Sequence, residues 1–412
     1  MTYGAGLYGA GIYGGVTVTT PGVVTPTLPD VVVPTPDPLR VYVRDGQGVI
    51  RGELTSFDEL TVVDRWRDVG RWTMVTSDPD TVALLAAHDA GVVVRRGETV
   101  IMSGPTDYRQ RAFQGGVSVL TLGGPDDSTH LAGTLAWGDP GGTLAEQATA
   151  RDKQTGPAES LILGYINRNL VSRLGSSVVV PASQGRGRVR TFGARFHTLL
   201  EVCQRVASLD ADLGFRLAQQ EDRTVAVEVW QASDLTSQGG LLSDLTGTTL
   251  DWTYSEQWPT VTRVLVAGGD QGADRLIRRR ISSGRESTWD RIVESWLDRR
   301  DIDPTDETAA VEMDEAGDEA LADGLPSQSF RIQISDVGGL LYGRDFRIGD
   351  LVRAYPAGVQ VDDRITEATI SVTREGELVS MWIGQKDDDP DERVERRARA
   401  LDRRLRQLER AY

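Results

Sequence analysis

The chain has 412 residues, a formal net charge of −16 and one cysteine. The length leaves room for two to four domains with real cores, and the negative charge argues against a general nucleic-acid binder, whose affinity comes from neutralising phosphates. Cys203 alone allows neither an intrachain disulfide nor a thiolate metal cluster; no run reaches membrane-span length, and the start lacks the basic-then-apolar order of a signal peptide.

The chain opens on a repeat, Tyr3-Gly-Ala-Gly-Leu7, Tyr8-Gly-Ala-Gly-Ile12, Tyr13-Gly-Gly. Glycine at this density makes helix or strand costly, while each unit repeats a tyrosine. Tyr3, Tyr8 and Tyr13 are therefore expected to contact a partner surface. Val16 to Pro38 is rich in Thr, Val and Pro, which favours an extended strap and forbids helix. Residues 1–38 read as an arm; the alternative is a tail with no partner.

From Leu39 the pattern turns to β. Val41, Val43 and Val49-Ile50 flank an Asp45-Gly46 turn, as in a hairpin. Trp72–Val75, Val92–Arg95, Thr99–Ser103 and the alternating run at Val117, Val119 and Thr121 read as strands. A helical middle follows, with Leu161, Ile162, Tyr165, Ile166 and Leu170 on one face and Phe196, Leu199, Leu200, Cys203 and Val206 on another. Alternation returns at Val225–Val229 and Val261–Val266. An acidic helix is expected from Asp306 to Ala322, ending at Gly324. The last β block holds Phe330–Ile334, Leu351–Ala354, Ile365–Thr373 and Leu378–Ile383. Short strands separated by Gly, Pro and Asp turns point to sandwiches or small barrels.

The chain ends on heptads. Asp389 caps a helix that starts with Pro390, and apolar residues then recur at spacings of four and three: Val394, Ala398, Leu401, Leu405, Leu408 and Tyr412. With Ala398 and Leu405 at a, the g positions are Arg397 and Arg404, and the facing e positions are Asp402 and Glu409. Such a narrow seam on a charged helix is expected to pair with copies of itself, parallel and in register. Arg404 to Glu409 resembles the trimerisation hexad of short coiled coils, although the a and d residues alone leave two, three or four strands open. The alternative is a surface helix packed on its own domain.

Most catalytic signatures are missing from the sequence. There is no Walker loop, nucleophile elbow or His-Glu-x-x-His. Gln184-Gly-Arg-Gly-Arg188 superficially resembles a phosphate loop but reads as a flexible basic turn. Asp301, Asp303, Thr305, Glu307 and Glu312 fall on EF-hand ligand positions, yet Asp306 stands where glycine is needed and Pro304 intrudes. A capped, acidic helix start explains the same residues. His197 and Cys203 are six apart on one helix, hence on different faces, and Cys203 reads as a core thiol. The expectation is no enzyme, no cofactor and no metal.

The dispersed motifs resemble a known family, the minor tail proteins of long-tailed actinobacterial phages. They are Leu39-Arg-Val-Tyr-Val-Arg-Asp45, Trp66-Arg-Asp-Val-Gly70, Gly91-Val-Val-Val-Arg95 with Thr99–Gly104, Thr155-Gly-Pro-Ala-Glu159, Phe192–Leu200, Asp234-Leu-Thr236, Val261–Gly268 and Tyr342-Gly-Arg-Asp-Phe-Arg-Ile-Gly-Asp-Leu-Val352. This family is similar to the tail-tip or baseplate hub found as the N-terminal part of tail-associated lysins. The resemblance implies a mainly β chain with α, built of several small β-sandwich or barrel-like hub domains, a helical middle insertion and a C-terminal coiled-coil helix. Together with the patterns above, it divides the chain into an arm (1–38), a first β hub domain (39–135), a helical domain (136–210), β-rich hub domains (211–385) and a coiled-coil stem (386–412).

It further implies a homotrimer at the virion's tail tip, surrounding the tail channel. The implied partners are the distal tail ring, the tape-measure protein and a downstream fibre or spike, while DNA passes through without specific binding. Lysin-bearing relatives continue into an enzyme domain; here a hub without the enzyme is expected. The residues expected at the trimer contact are Val394, Ala398, Leu401, Leu405 and Leu408, with Arg404 and Glu409 as a register clamp. The competing reading is a receptor- or cell-wall-glycan-binding tail protein gripping sugar with some of its nine tryptophans.

Overall fold

The computed structural model describes residues 38–384, apart from 86, 115, 209, 221–222, 239–241, 244–248, 270–271, 273–274, 325–326, 335–340 and 356–359. Tyr3, Tyr8 and Tyr13 of the arm therefore lie outside the described residues. So do the heptads, with Val394, Ala398, Leu401, Arg404, Leu405, Leu408 and Glu409.

The expected hairpin forms. Leu39–Arg44 pairs antiparallel with Ile50–Leu54, and Asp45 fixes the turn by accepting the Gln47 and Val49 N–H groups at 2.9 Å. Gly91–Arg96 and Thr99–Pro105 extend this to four strands. Against them lies a ten-stranded sheet. Its main path runs Thr249–Gln257, Ser327–Ile334, Gly376–Gly384, Val361–Thr373, Glu59–Arg65, Arg71–Thr76, Val117–Pro125 and Tyr108–Gln114. Leu351–Tyr355 and Leu242–Ser243 branch from Val361–Thr373.

Glu59–Arg65 pairs antiparallel with Val361–Thr373 through seven residue pairs. The pairing joins strands from near the two ends of the described chain, and Arg65 Nε reinforces it by donating to Glu367 at 2.9 Å. The four-stranded sheet and this large one share a single core. Val41, Val43, Val92 and Met102 from one meet Val62, Trp72, Leu122, Ile370 and Met381 from the other, all buried. Sheet-on-sheet packing of this kind accounts for the sandwich-like pattern in the sequence. None of the sheets closes into a barrel among the described residues.

A second core belongs to the helical middle. Ala158–Ile166 is α-helical and runs into a π-helical turn, Asn167–Arg173. The helix expected from Phe196 starts at Leu199, because Thr198 and Glu201 form a reciprocal capping box. An antiparallel strand pair, Asp152–Pro157 with Val189–Ala194, whose connection carries these helical turns, and the hairpin of Leu213–Gln219 with Val225–Gln231 complete this layer.

Residues 261–324 form a lobe with its own core of Val264, Val266, Ile302, Ala309, Met313 and Leu321. Its sheet is ordered Ile277–Ile281, Arg263–Ala267, Glu294–Asp298. Helix Ala309–Asp323 covers one face of that sheet and ends at Gly324, as its sequence signals. The ends of the lobe meet, since the Val261 N–H donates to the Gly324 carbonyl at 3.4 Å.

Candidate assembly interface

The two large cores meet across a seam made chiefly of arginines. Arg44, at the end of the first strand, donates from both Nη atoms to Asp127 (2.9 and 2.5 Å) and to Gln219 Oε1 at 2.8 Å. Ser103 Oγ also donates to Asp127, at 2.6 Å, while accepting the Gln219 N–H at 2.8 Å. All four side chains are buried. Buried charge survives only when fully paired, and here the pairing joins the first β unit to the Leu213–Gln219 hairpin. Arg216 of that hairpin reaches back to the carbonyls of Val100 (3.0 Å) and Ile101 (3.1 Å) and pairs with Glu228 at 2.7 Å. Arg67 donates to the carbonyls of Leu213 (2.9 Å), Ala211 (3.0 Å) and Asp210. Burial lowers the Arg67 guanidinium to about 10.

The Tyr342–Val352 motif ties the last β block into this seam. Tyr342 Oη donates to Asp64 Oδ2 at 2.7 Å, both groups buried, and burial raises both titrations. Phe346 packs edge-on against Tyr342, with ring centroids 5.7 Å apart. Gly349 has φ +89°, and a Cβ there would stand 2.0 Å from Trp66 Cζ3; both the backbone conformation and the close indole demand glycine. Asp350 accepts the Ser233 N–H at 2.8 Å and the Arg347 N–H at 2.9 Å. Trp66 in turn meets Trp230 edge to face at 5.7 Å, and Arg347 and Arg216 lie 5.1 and 5.7 Å from the Trp230 ring. The sequence motif thus fastens the last β block to the seam.

The other candidates for chemistry also resolve into structure. Cys203 is buried and burial pushes its thiol up, the opposite of a nucleophile's requirement. Burial and the adjacent Arg205 lower His197 to about 4. The Gln184–Arg188 turn is held in place and does cradle an anion, a carboxylate: the Gln184 and Arg186 N–H groups donate to Glu159 Oε2 at 3.0 and 2.8 Å. Around the EF-hand-like run, burial works to raise Asp301 but Arg299 and Arg151 hold it at about 2. Asp306 and Glu312 both bind Lys153 Nζ at 3.0 Å. Among the described residues, no group of three or more His, Cys, Asp or Glu side chains is placed to hold a metal ion, and no helix is long and apolar enough to cross a membrane.

What the molecule offers outward is sheet edge and apolar surface. Tyr108–Gln114 is an end strand of the large sheet, with Tyr108 45% and Phe113 75% exposed. On the lobe, the sheet face away from the helix carries Ile277 (51%), Ile281 (40%) and Trp296 (43%). Trp258 is 58% exposed and stands 6.2 Å from Trp289. Of the nine tryptophans, Trp72 is fully buried, and Trp66 and Trp230 serve the seam.

Comparison with known proteins agrees with this architecture. A 43 kDa tail protein of prophage MuSo2 from Shewanella oneidensis superposes with a TM-score of 0.56 at 11% identity, covering 84% of this chain and 98% of that one. A tail protein from Neisseria meningitidis MC58 gives 0.52 at 14% identity, covering 84% and 97%. Prophage tail protein gp18 from Listeria monocytogenes EGD-e gives 0.50 at 10% identity, covering 88% and 99%. These likenesses establish the fold. No curated protein matches at the level of sequence. The family model described as siphovirus ReqiPepy6 Gp37-like protein matches residues 40–385, nearly the whole described region. The chain is a siphovirus tail protein and belongs to the ReqiPepy6 Gp37-like family.

Proposed function

We propose that this chain is the structural hub of its phage's tail tip, a homotrimer around the tail channel. It links the distal tail ring and tape measure to a central fibre or spike. The observation that carries this reading is the pairing of Glu59–Arg65 with Val361–Thr373. Because of it, the last described strand, Gly376–Gly384, lies in the same sheet as strands of the first β unit. Nine residues lie between Gly384 and Val394, ten steps that reach about 35 Å when fully extended. A three-stranded coil at the heptads would therefore gather three such sheets around one axis. The chain's acidity suits a channel wall that repels a polyanion in transit.

The role is structural, and the arginine seam supports it by devoting the buried ionisable groups to fastening layers. The test is the mass of the purified chain in solution at micromolar concentration, together with antibody labelling of virions. A trimer and label at the tail tip are expected; a monomer or label along the tail shaft would count against the hub.

A second reading, glycan binding, draws support from the exposed Trp258 beside Trp289. Binding of the purified chain to isolated sacculi, abolished by Trp258→Ala, would favour it.

A further inference from the structure

We infer that the lobe is an intersubunit joint: strand Ile277–Ile281 of one copy pairs antiparallel with strand Glu294–Asp298 of the next, extending the sheet head to tail. The inference deepens the trimeric reading and rests on it.

Both strands are edges, since among the described residues each pairs only with Arg263–Ala267 between them. The hydrogen bonds fix which groups face outward. The Gly268 N–H donates to Leu276 and the Ser282 N–H to Thr262, each at 2.9 Å. Alternation along the strand then turns the backbone N–H and C=O groups of Ile277, Arg279 and Ile281 to the outer side. On the opposite edge the Arg263 N–H donates to Val293 at 3.0 Å and the Arg299 N–H to Ala267 at 2.8 Å. This turns the backbone groups of Glu294, Trp296 and Asp298 outward.

The side chains of these residues all lie on the face away from the helix. Arg278 and Arg280 alternate with them and point the other way, to Asp314 and Asp318 at 2.7 Å.

One register satisfies both edges. With Arg279 opposite Glu294, Ile277 falls opposite Trp296 and Ile281 opposite Ile292, which is 56% exposed and lies two residues ahead of the strand. Opposite charges meet and apolar side chains meet, the pairings that stabilise antiparallel strands. Sliding by two residues either way sets Glu294 against an isoleucine.

Pairing each edge with its own copy fares worse. Centred on itself, Ile277–Ile281 puts Arg279 opposite Arg279. Centred on itself, Glu294–Asp298 puts Glu294 opposite Asp298. The charge pattern therefore selects a heterologous contact between the two different edges, the kind that closes into a ring when the rotation allows.

The test uses two single-cysteine additions, Arg279→Cys and Glu294→Cys, in the full chain, co-expressed and oxidised or treated with a short bismaleimide. Directly opposed residues in such a pair stand about 5.5 Å apart at Cα, within linking distance, and the buried Cys203 stays silent. Mixed cross-linked dimers are expected from the two variants together and from neither alone. Arg279→Cys with Asp298→Cys should give at least about fivefold less product, because it sets the residues out of register. Arg279→Glu should weaken assembly about tenfold, and the swap Arg279→Glu with Glu294→Arg in one chain should restore it. Trimers that form without mixed cross-links overturn the edge pairing and leave the trimeric reading intact. Monomers without cross-links overturn both. Cross-linking of Arg279→Cys alone shows an edge meeting itself and overturns the head-to-tail order.

Discussion

Arg44 and Asp127, 83 residues apart in sequence, form a two-pronged ion pair with 8% and 1% of their side chains exposed. Removing one partner leaves the other charge buried alone. Arg44→Leu is expected to cost about 3–5 kcal/mol, read from urea unfolding followed by tryptophan fluorescence. Arg44→Leu with Asp127→Leu should recover part of that loss. A single variant within about 0.5 kcal/mol of the parent would show that the pair fastens nothing.

Gly349→Ala should lower the melting temperature, through both its positive φ and the contact with Trp66, by an amount equivalent to about 2 kcal/mol or more. Adding Trp66→Ala relieves the contact but not the backbone strain. Partial rescue is therefore expected from the double variant; complete rescue would assign the whole cost to the clash.

Asp126 makes a pH prediction. It accepts the Gly70 and Ser128 N–H groups at 2.9 Å, and burial, with Asp64 and Asp127 nearby, raises it from 3.8 to about 7. The folded chain thus holds this proton more tightly than the unfolded chain does. Its contribution is fully present below about pH 4 and is lost as the pH rises through about 7. The stability of the parent relative to Asp126→Asn should fall over that window. A difference independent of pH would refute the buried proton.

Leu405→Asp should loosen the proposed C-terminal coil by placing a charge in its seam. If the globular part carries the main contact, light scattering will still report a trimer, with the last residues more open to protease. Full dissociation would move the main interface to the heptads.

The lobe meets the helical layer through Arg151–Asp301 (2.5 Å), Lys153 with Asp306 and Glu312 (3.0 Å each) and Arg205–Glu319 (3.5 Å), all partly solvated. Exposed pairs of this kind contribute little singly and are screened by salt. Hydrogen exchange at 151–155 and 299–312 should therefore quicken in 1 M salt, while the core strand Arg71–Thr76 stays protected. Uniform quickening would mean that the lobe and body open together.

Much of this architecture was legible in the alternation of Val41, Val43, Trp72 and Met74, because those residues act through local geometry; the Thr198-x-x-Glu201 cap is just as local, yet the helix was expected from Phe196 and starts at Leu199. Glu59–Arg65 was not, since its third inward position is Asp64, whose buried carboxyl needs Tyr342 from 278 residues away to make sense. Ile277–Ile281 was hidden by three consecutive arginines, two of which are answered by carboxylates on a helix more than thirty residues on. The anion held by the Gln184–Arg188 turn was invisible for the same reason: Glu159 is local only in space. The signal that would have found the seam is the excess of arginine over lysine, because guanidinium groups can reach several carbonyls and carboxylates at once.

The hydrogen bond between Val261 and Gly324 has an evolutionary consequence. A segment whose two ends touch can be excised, lengthened or exchanged without moving the strands on either side, and this one brings its own core. Residues 261–324 are therefore a socketed cassette, whose loss or replacement would leave Thr249–Gln257 and Ser327–Ile334, the strands on either side of it, still paired with each other.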